Sequence, residues 1–231
     1  NKGYSFCRTL ITCIAMIYKV ADLVNEVRTV IDRNNSSAPL AGFTDVDTLS
    51  IDTLIESKIE DAARAVTVNA PRHLLDSGKS IGTAVAWSSS KTKHWGFTQL
   101  PEDFLRLLTF QMADWSYPVT EAITDADPEY KQQNSRFAGI GGNPQRPVVA
   151  IVQHPIGLIL EFYSCTSNDV AVKVARYIPI PRIEDEHIGI SEKLEKAVIY
   201  YCAYLVLSSL SEVEQAKLMY SIYMDLSELK H

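Results

Sequence analysis

Apolar residues recur at helical spacing at Val20, Leu23, Val24, Val27, Val30 and Ile31, with Asp22, Glu26, Arg28 and Arg33 on the other side, and this predicts an amphipathic helix. Residues 34–39 (Asn-Asn-Ser-Ser-Ala-Pro) break it, through turn formers and a proline that cannot continue the ladder. A second helix is predicted from Ser50, its N-cap, to Val68, with Ile51, Leu54, Ile55, Ile59, Ala62, Ala63 and Val66 on one face and Pro71 beyond its end. The last part of the chain predicts two more, at about Ser191 to Ser208 and Ser211 to Leu229. The second of these opens on Ser211-Glu212-Val213-Glu214, the pattern of a capping box.

Between these ends the period changes from helical to alternating. Leu158, Leu160 and Phe162 alternate with Ile159, Glu161 and Tyr163, and Val170, Val172 and Val174 alternate with Ala171, Lys173 and Ala175. Pro147 to Gln153 is an apolar strand candidate joined through the turn residues His154-Pro155-Ile156-Gly157 to the next, which predicts an antiparallel hairpin. Ile81–Trp87, Trp95–Thr98 and Phe104–Met112 complete the strands. Residues 120–147 are polar and rich in Gly, Pro, Asn and Gln, and read as one long mobile loop that makes contacts between proteins.

The expected class is therefore α+β, a helical bundle from both chain ends with an inserted antiparallel β-rich subdomain. The bundle takes residues 18–80 and 184–231, and the insertion takes 81–183. Residues 1–17 form an apolar N-terminal extension. Its run from Phe6 to Ile17 is too short to span a bilayer and passes from Met16 straight into the helical pattern, so Met16 reads as the true start. The alternative is a short packed helix, or a secreted binding protein processed after this run.

The 231 residues carry a formal charge of -6, which opposes a basic face wrapped around nucleic acid phosphates but suits a conduit through which DNA slides. Glu56, Glu60 and Asp61 are candidates to line such a conduit. Cys7, Cys13, Cys165 and Cys202 form no CxxC pair and read as reduced thiols. Gly139-Ile140-Gly141-Gly142 leads into Asn143-Pro144 rather than a helix, so no phosphate cradle is expected.

His73, His94, His154, His187 and His231 lack the spacing of a metal site, and Ser88-Ser89-Ser90 with Lys91 lacks that of a nucleophile and base. The acidic pairs Asp125/Asp127 and Glu184-Asp185-Glu186 offer the one route to a hydrolase, with a histidine added by the fold. No cofactor and no metal are expected. The aromatic residues suggest an interface instead: Tyr200, Tyr204, Tyr220 and Tyr223 on the last two helices, with Tyr130 and Trp115, are candidates for contact with another subunit or a partner.

Leu100-Pro101-Glu102-Asp103-Phe104-Leu105-Arg106-Leu107, then Trp115-Ser116-Tyr117-Pro118-Val119, Tyr130-Lys131-Gln132-Gln133-Asn134, the hairpin after Pro147, and Tyr177-Ile178-Pro179-Ile180-Pro181 follow one another in an order that resembles the head-tail connector proteins of short-tailed bacteriophages and prophages, including those of Bacteroidales. The resemblance covers about residues 17–229. It implies a virion protein without enzymatic activity, assembled in the cytoplasm of a host bacterium. Its partners would be itself, in a ring commonly of twelve subunits, the portal protein, the tail or next ring, and DNA only as passing cargo, with no membrane. Some members of that family reach the portal through a long extended C-terminal arm, and docking by such an arm is not expected here, where the residues after Leu229 are few.

Overall fold

The computed structural model describes residues 16–34, 51–88, 94–133, 135 and 140–229. Helix α1 (Val20–Asn34) buries Val20, Leu23, Val27 and Ile31, and α2 (Ile51–Asn69) buries Ile55, Ile59, Ala62, Ala63 and Val66, the stripes that the apolar spacing predicts. The proposed N-cap Ser50 lies outside the described residues. Near the other end, α4 (Glu195–Ser209) buries Ala197, Val198, Ile199, Cys202, Ala203, Val206 and Leu207. Such breadth marks a helix covered on several sides, and α1, α2 and α5 (Val213–Leu226) all pack on it. Residues of these four helices share one hydrophobic core.

The joints of α4 and α5 differ from the sequence expectation. The predicted start at Ser191 is a 3₁₀ turn, Glu192–Leu194, ahead of α4. The capping box does not form. Ser211 takes φ 64°, its N–H bonds the Ser208 carbonyl at 3.2 Å, and the N–H of Glu212 bonds the Leu207 carbonyl at 3.0 Å. This is a Schellman ending of α4, in which Ser211 closes the preceding helix instead of opening the next. The end of α5 repeats it, with Glu228 at φ 54° and Leu229 bonded back to Met224 at 3.1 Å.

Met16–Lys19 is a strand, β1, and not the first turn of a helix. It pairs antiparallel with β11 (His187–Ile190), which pairs in turn with β10 (Ile183–Glu184). The acidic triplet at residues 184–186 thus forms a hairpin tip. Asp185 and Glu186 at φ 47° and 63° have the left-handed pair of a type I′ turn, where glycine is usual at the second position. The Glu186 carbonyl accepts the free N–H of Val20 at 2.9 Å, and Glu60 of α2 accepts the N–H of Ile183 at 2.6 Å, so the hairpin is fastened to α1 and α2.

The remaining strands make two sheets. One has the order β2 (Lys79–Ser80), β9 (Val172–Pro179), β5 (Phe104–Met112). The other runs β3 (Ala86–Trp87), β4 (Gly96–Gln99), β8 (Gly157–Phe162), β7 (Val149–His154), β6 (Ile123–Thr124). They face each other over a second core, in which Phe110 of β5 stacks on Phe162 of β8 at 5.6 Å. The predicted strand 81–87 is corrected: residues 81–85 are irregular and lead from β2 in one sheet to β3 in the other. The β7–β8 hairpin is antiparallel, as predicted, but His154 and Gly157 pair at its end instead of belonging to the turn, and Gly157 takes φ 116°, a value glycine adopts without strain.

The polar stretch 120–147 is likewise not one open loop. It holds β6, which joins β7 in parallel, and a short helix α3 (Pro128–Gln132) set against the large sheet. Residues 134 and 136–139 of this stretch are not described.

Replacing Ser211 or Glu228 by glycine relieves a side chain held in left-handed conformation. Each variant is expected to raise unfolding free energy by about 0.5–1 kcal/mol in denaturant titration; a loss of stability in both would mean that these residues do not close the helices.

Candidate functional site

The segment Leu100–Leu107 joins the two cores. Leu100 is buried and bonds the Leu158 carbonyl at 2.9 Å, placing the segment beside β8. Asp103 accepts the Tyr177 hydroxyl at 2.6 Å and the Lys79 ammonium at 2.8 Å, tying β5 to β9 and β2. Arg106 reaches the other way, donating to the carbonyls of Val68 and Ala70 at 3.1 and 2.7 Å and so satisfying the open C-terminal end of α2. Burial by itself would raise the Asp103 carboxyl, but the hydrogen bonds from Lys79 and Tyr177 hold it below the ordinary value. The same contact, after burial, pushes the Tyr177 hydroxyl well above its ordinary value.

The six aromatic candidates separate. Trp115 is core: it is 3% exposed, packs edge-on against Phe110 at 5.7 Å and donates its indole N–H to the Ser164 carbonyl at 3.1 Å. Tyr223, 2% exposed, is also core. Both are corrected as interface residues. Their burial arises from sheet and helix packing that local spacing does not report.

Tyr130 is half-buried at the large sheet, where its hydroxyl donates to Glu161 at 3.1 Å, and Tyr163 donates to the same carboxylate. Burial, then Glu161, drives the Tyr163 hydroxyl far up from its ordinary value. Tyr200 is half-buried against the helical core.

Tyr204 and Tyr220 belong to a closed circuit of four rings. The centroids of Tyr201–Tyr204, Tyr204–Tyr220, Tyr220–Tyr223 and Tyr223–Tyr201 are 5.5, 5.1, 5.6 and 4.7 Å apart, and every pair is tilted. Tyr223 anchors the circuit in the core, and Tyr220 carries it to the surface at 40% exposure, beside Val213 at 56%. Tyr201, on the same helix as Tyr204, completes it. The spacing 201, 204 on one helix and 220, 223 on the next was the available signal, because i and i+3 share a helical face. The hydroxyls of Tyr204 and Tyr220 have no hydrogen-bond partner among the described residues.

The groups considered for catalysis are dispersed. Asp127 accepts the N–H and hydroxyl of Thr124, which lowers its carboxyl pKa and shapes the turn into α3. His73 faces Glu228 at 2.8 Å, His94 faces Asn168 at 2.8 Å, His154 stacks on Phe97, and His187 contacts the Asp185 carbonyl at 2.6 Å. No group of three or more His, Cys, Asp or Glu able to hold a metal occurs among the described residues. Cys165 and Cys202 are buried, and burial pushes both thiols up to about 12. Ser89, Ser90, Lys91 and His231 lie outside the described residues.

Among the described residues no helix is long and apolar enough to cross a membrane. No protein-family model matches the chain, and no curated protein matches it either.

Truncation separates core from surface. Trp115→Ala is expected to cost about 3–5 kcal/mol in a denaturant titration, whereas Tyr220→Ala should cost less than about 1 kcal/mol; equal losses would contradict the assignment. Because the Asp103 carboxyl is lowered by folding, its stabilisation is present above the ordinary carboxylate value and is lost as pH falls through the folded value. Asp103→Asn should therefore flatten the acid limb of the stability–pH curve, and an unchanged limb would remove Asp103 from the joint.

Proposed function

We propose that this chain is a structural protein of a bacteriophage virion, a ring-forming head-tail connector that continues the portal channel and carries the tail. It assembles in the cytoplasm of the host bacterium. The observation that carries this reading is a pair of unlike apolar surfaces on different flanks of the subunit. On one flank Tyr204, Tyr220 and Val213 lie at the surface of α4 and α5. On the other, Met16 and Ile17, 49% and 68% exposed, stand on β1, which pairs on one side only among the described residues.

A copy that sets one surface against the other on its neighbour makes a head-to-tail contact, and such contacts close into a ring or run on as a filament according to the rotation per step. The resemblance of segments 100–107 and 177–181 to connector proteins favours closure. The surface charge suits passing DNA: Glu184 and Asp185 are exposed and have no ion-pair partner among the described residues. Carboxylates along a channel repel phosphate and keep the duplex free to slide.

Electron microscopy of the protein mixed with assembled portal tests the reading. Closed rings seated coaxially on the portal are expected. A protein that stays monomeric at high concentration and ignores the portal would overturn the connector assignment. The free protein should also bind duplex DNA weakly and without sequence preference at physiological salt, measured by fluorescence anisotropy, and tight binding with a steep salt dependence would exclude the conduit.

A further inference from the structure

A groove of about 630 Å³ opens between the start of α1, the start of α2 and the tip of the β10–β11 hairpin. Its volume lies in the range of clefts that seat a side chain or a small ligand. Val20 and Val24 give it an apolar floor, and Asp52, Glu56 and Glu186 stand at its walls. Arg28 holds Asp52 at 3.2 Å. The carboxylates of Glu56 and Glu186 have neither an ion-pair nor a hydrogen-bond partner among the described residues. The groove thus presents two carboxylates with no partner among the described residues above a small apolar surface, with Lys19, Asn25 and His187 also on its lining.

The aromatic face of α4 and α5 presents the complement. Tyr220 projects a ring whose hydroxyl has no acceptor among the described residues. In the rest of the protein the same pairing recurs: Tyr18 donates to Glu195 at 3.2 Å, Tyr130 to Glu161 at 3.1 Å and Tyr177 to Asp103 at 2.6 Å. A single copy cannot bring the two surfaces together. Tyr223, one turn from Tyr220, reaches Asn69 at the far end of α2, about 25 Å of helix axis from Asp52 at the groove. The two features therefore meet only between copies, and because they are unlike, their contact is head-to-tail.

We infer that Tyr220 of one copy seats in the groove of the next, its ring on Val20 and Val24 and its hydroxyl donated to the Glu56–Glu186 carboxylate pair. The inference rests on the ring reading and names the contact by which the ring closes. Charge-assisted hydrogen bonds of this kind are the strong ones, so a few such contacts repeated around a ring contribute substantially to its closure.

The test uses the full chain with Cys7 and Cys13 replaced by serine, assembled on portal. Tyr220→Cys combined with Glu186→Cys should give, on mild oxidation, a ladder of cross-linked multimers on a non-reducing gel, while each single variant gives none. Independently, Tyr220→Phe, and Glu56→Gln with Glu186→Gln, should each raise the concentration for half-assembly about tenfold with the thermal midpoint unchanged. Wild-type rings without a ladder, and with assembly unmoved by these variants, overturn the Tyr220 contact and leave the ring reading standing. Failure of the wild type to assemble on portal overturns both.

Discussion

Asp103 and Arg106 lie three residues apart and pull in opposite directions, one into the sheet pair and the other onto the end of α2. The helical core needs this joint, because α4 lies more than a hundred residues beyond the α2 that it packs against, and the two larger sheets lie between them in the chain. Closing a core over so long an excursion carries a chain-entropy cost that grows slowly with length. It is offset only if the excursion folds rigidly and returns the chain to the right place. Lys79, Tyr177 and Asp103 bring the departing and returning strands together, and Arg106 sets their position against the bundle.

The same economy of polar contacts explains the hairpin over α1. The first N–H groups of a helix need acceptors from outside it. For Val20 the acceptor is the Glu186 carbonyl, presented by a turn that holds two side-chain-bearing residues at positive φ. Strain of this kind persists only where the surroundings over-determine it, and here Glu60 and the β1–β11 ladder do so. The result is an acidic tip held beside a groove.

The aromatic residues show how one residue type serves two ends. Trp115 and Tyr223 fill cores, and their polar atoms find partners nearby. Tyr204 and Tyr220 continue the same ring circuit outward, to hydroxyls that have no partner among the described residues. A rigid ring anchored from below loses little conformational freedom when a partner covers it, which is why such residues concentrate binding energy.

The amino-acid sequence by itself determined α1, α2, α4 and α5, the strands β4, β5, β7, β8 and β9 and the α+β class, because a helical or alternating period, or a short apolar run between turn residues, is a local property that burial enforces. It also carried the tyrosine set, though not which members lie inside. Only the tertiary structure decided the rest. Ser211 and Glu214 satisfy the pattern of a capping box, yet Ser211 ends α4, where its N–H and that of Glu212 bond carbonyls of the preceding helix. Residues 81–85 carry strand-forming side chains but cross between sheets, and residues 184–186 lie at the tip of a hairpin whose strand β11 also pairs with the distant β1. The groove joins Val20, Glu56 and Glu186, which are far apart in the chain, and spacing carries no information about groups that only long-range packing brings together.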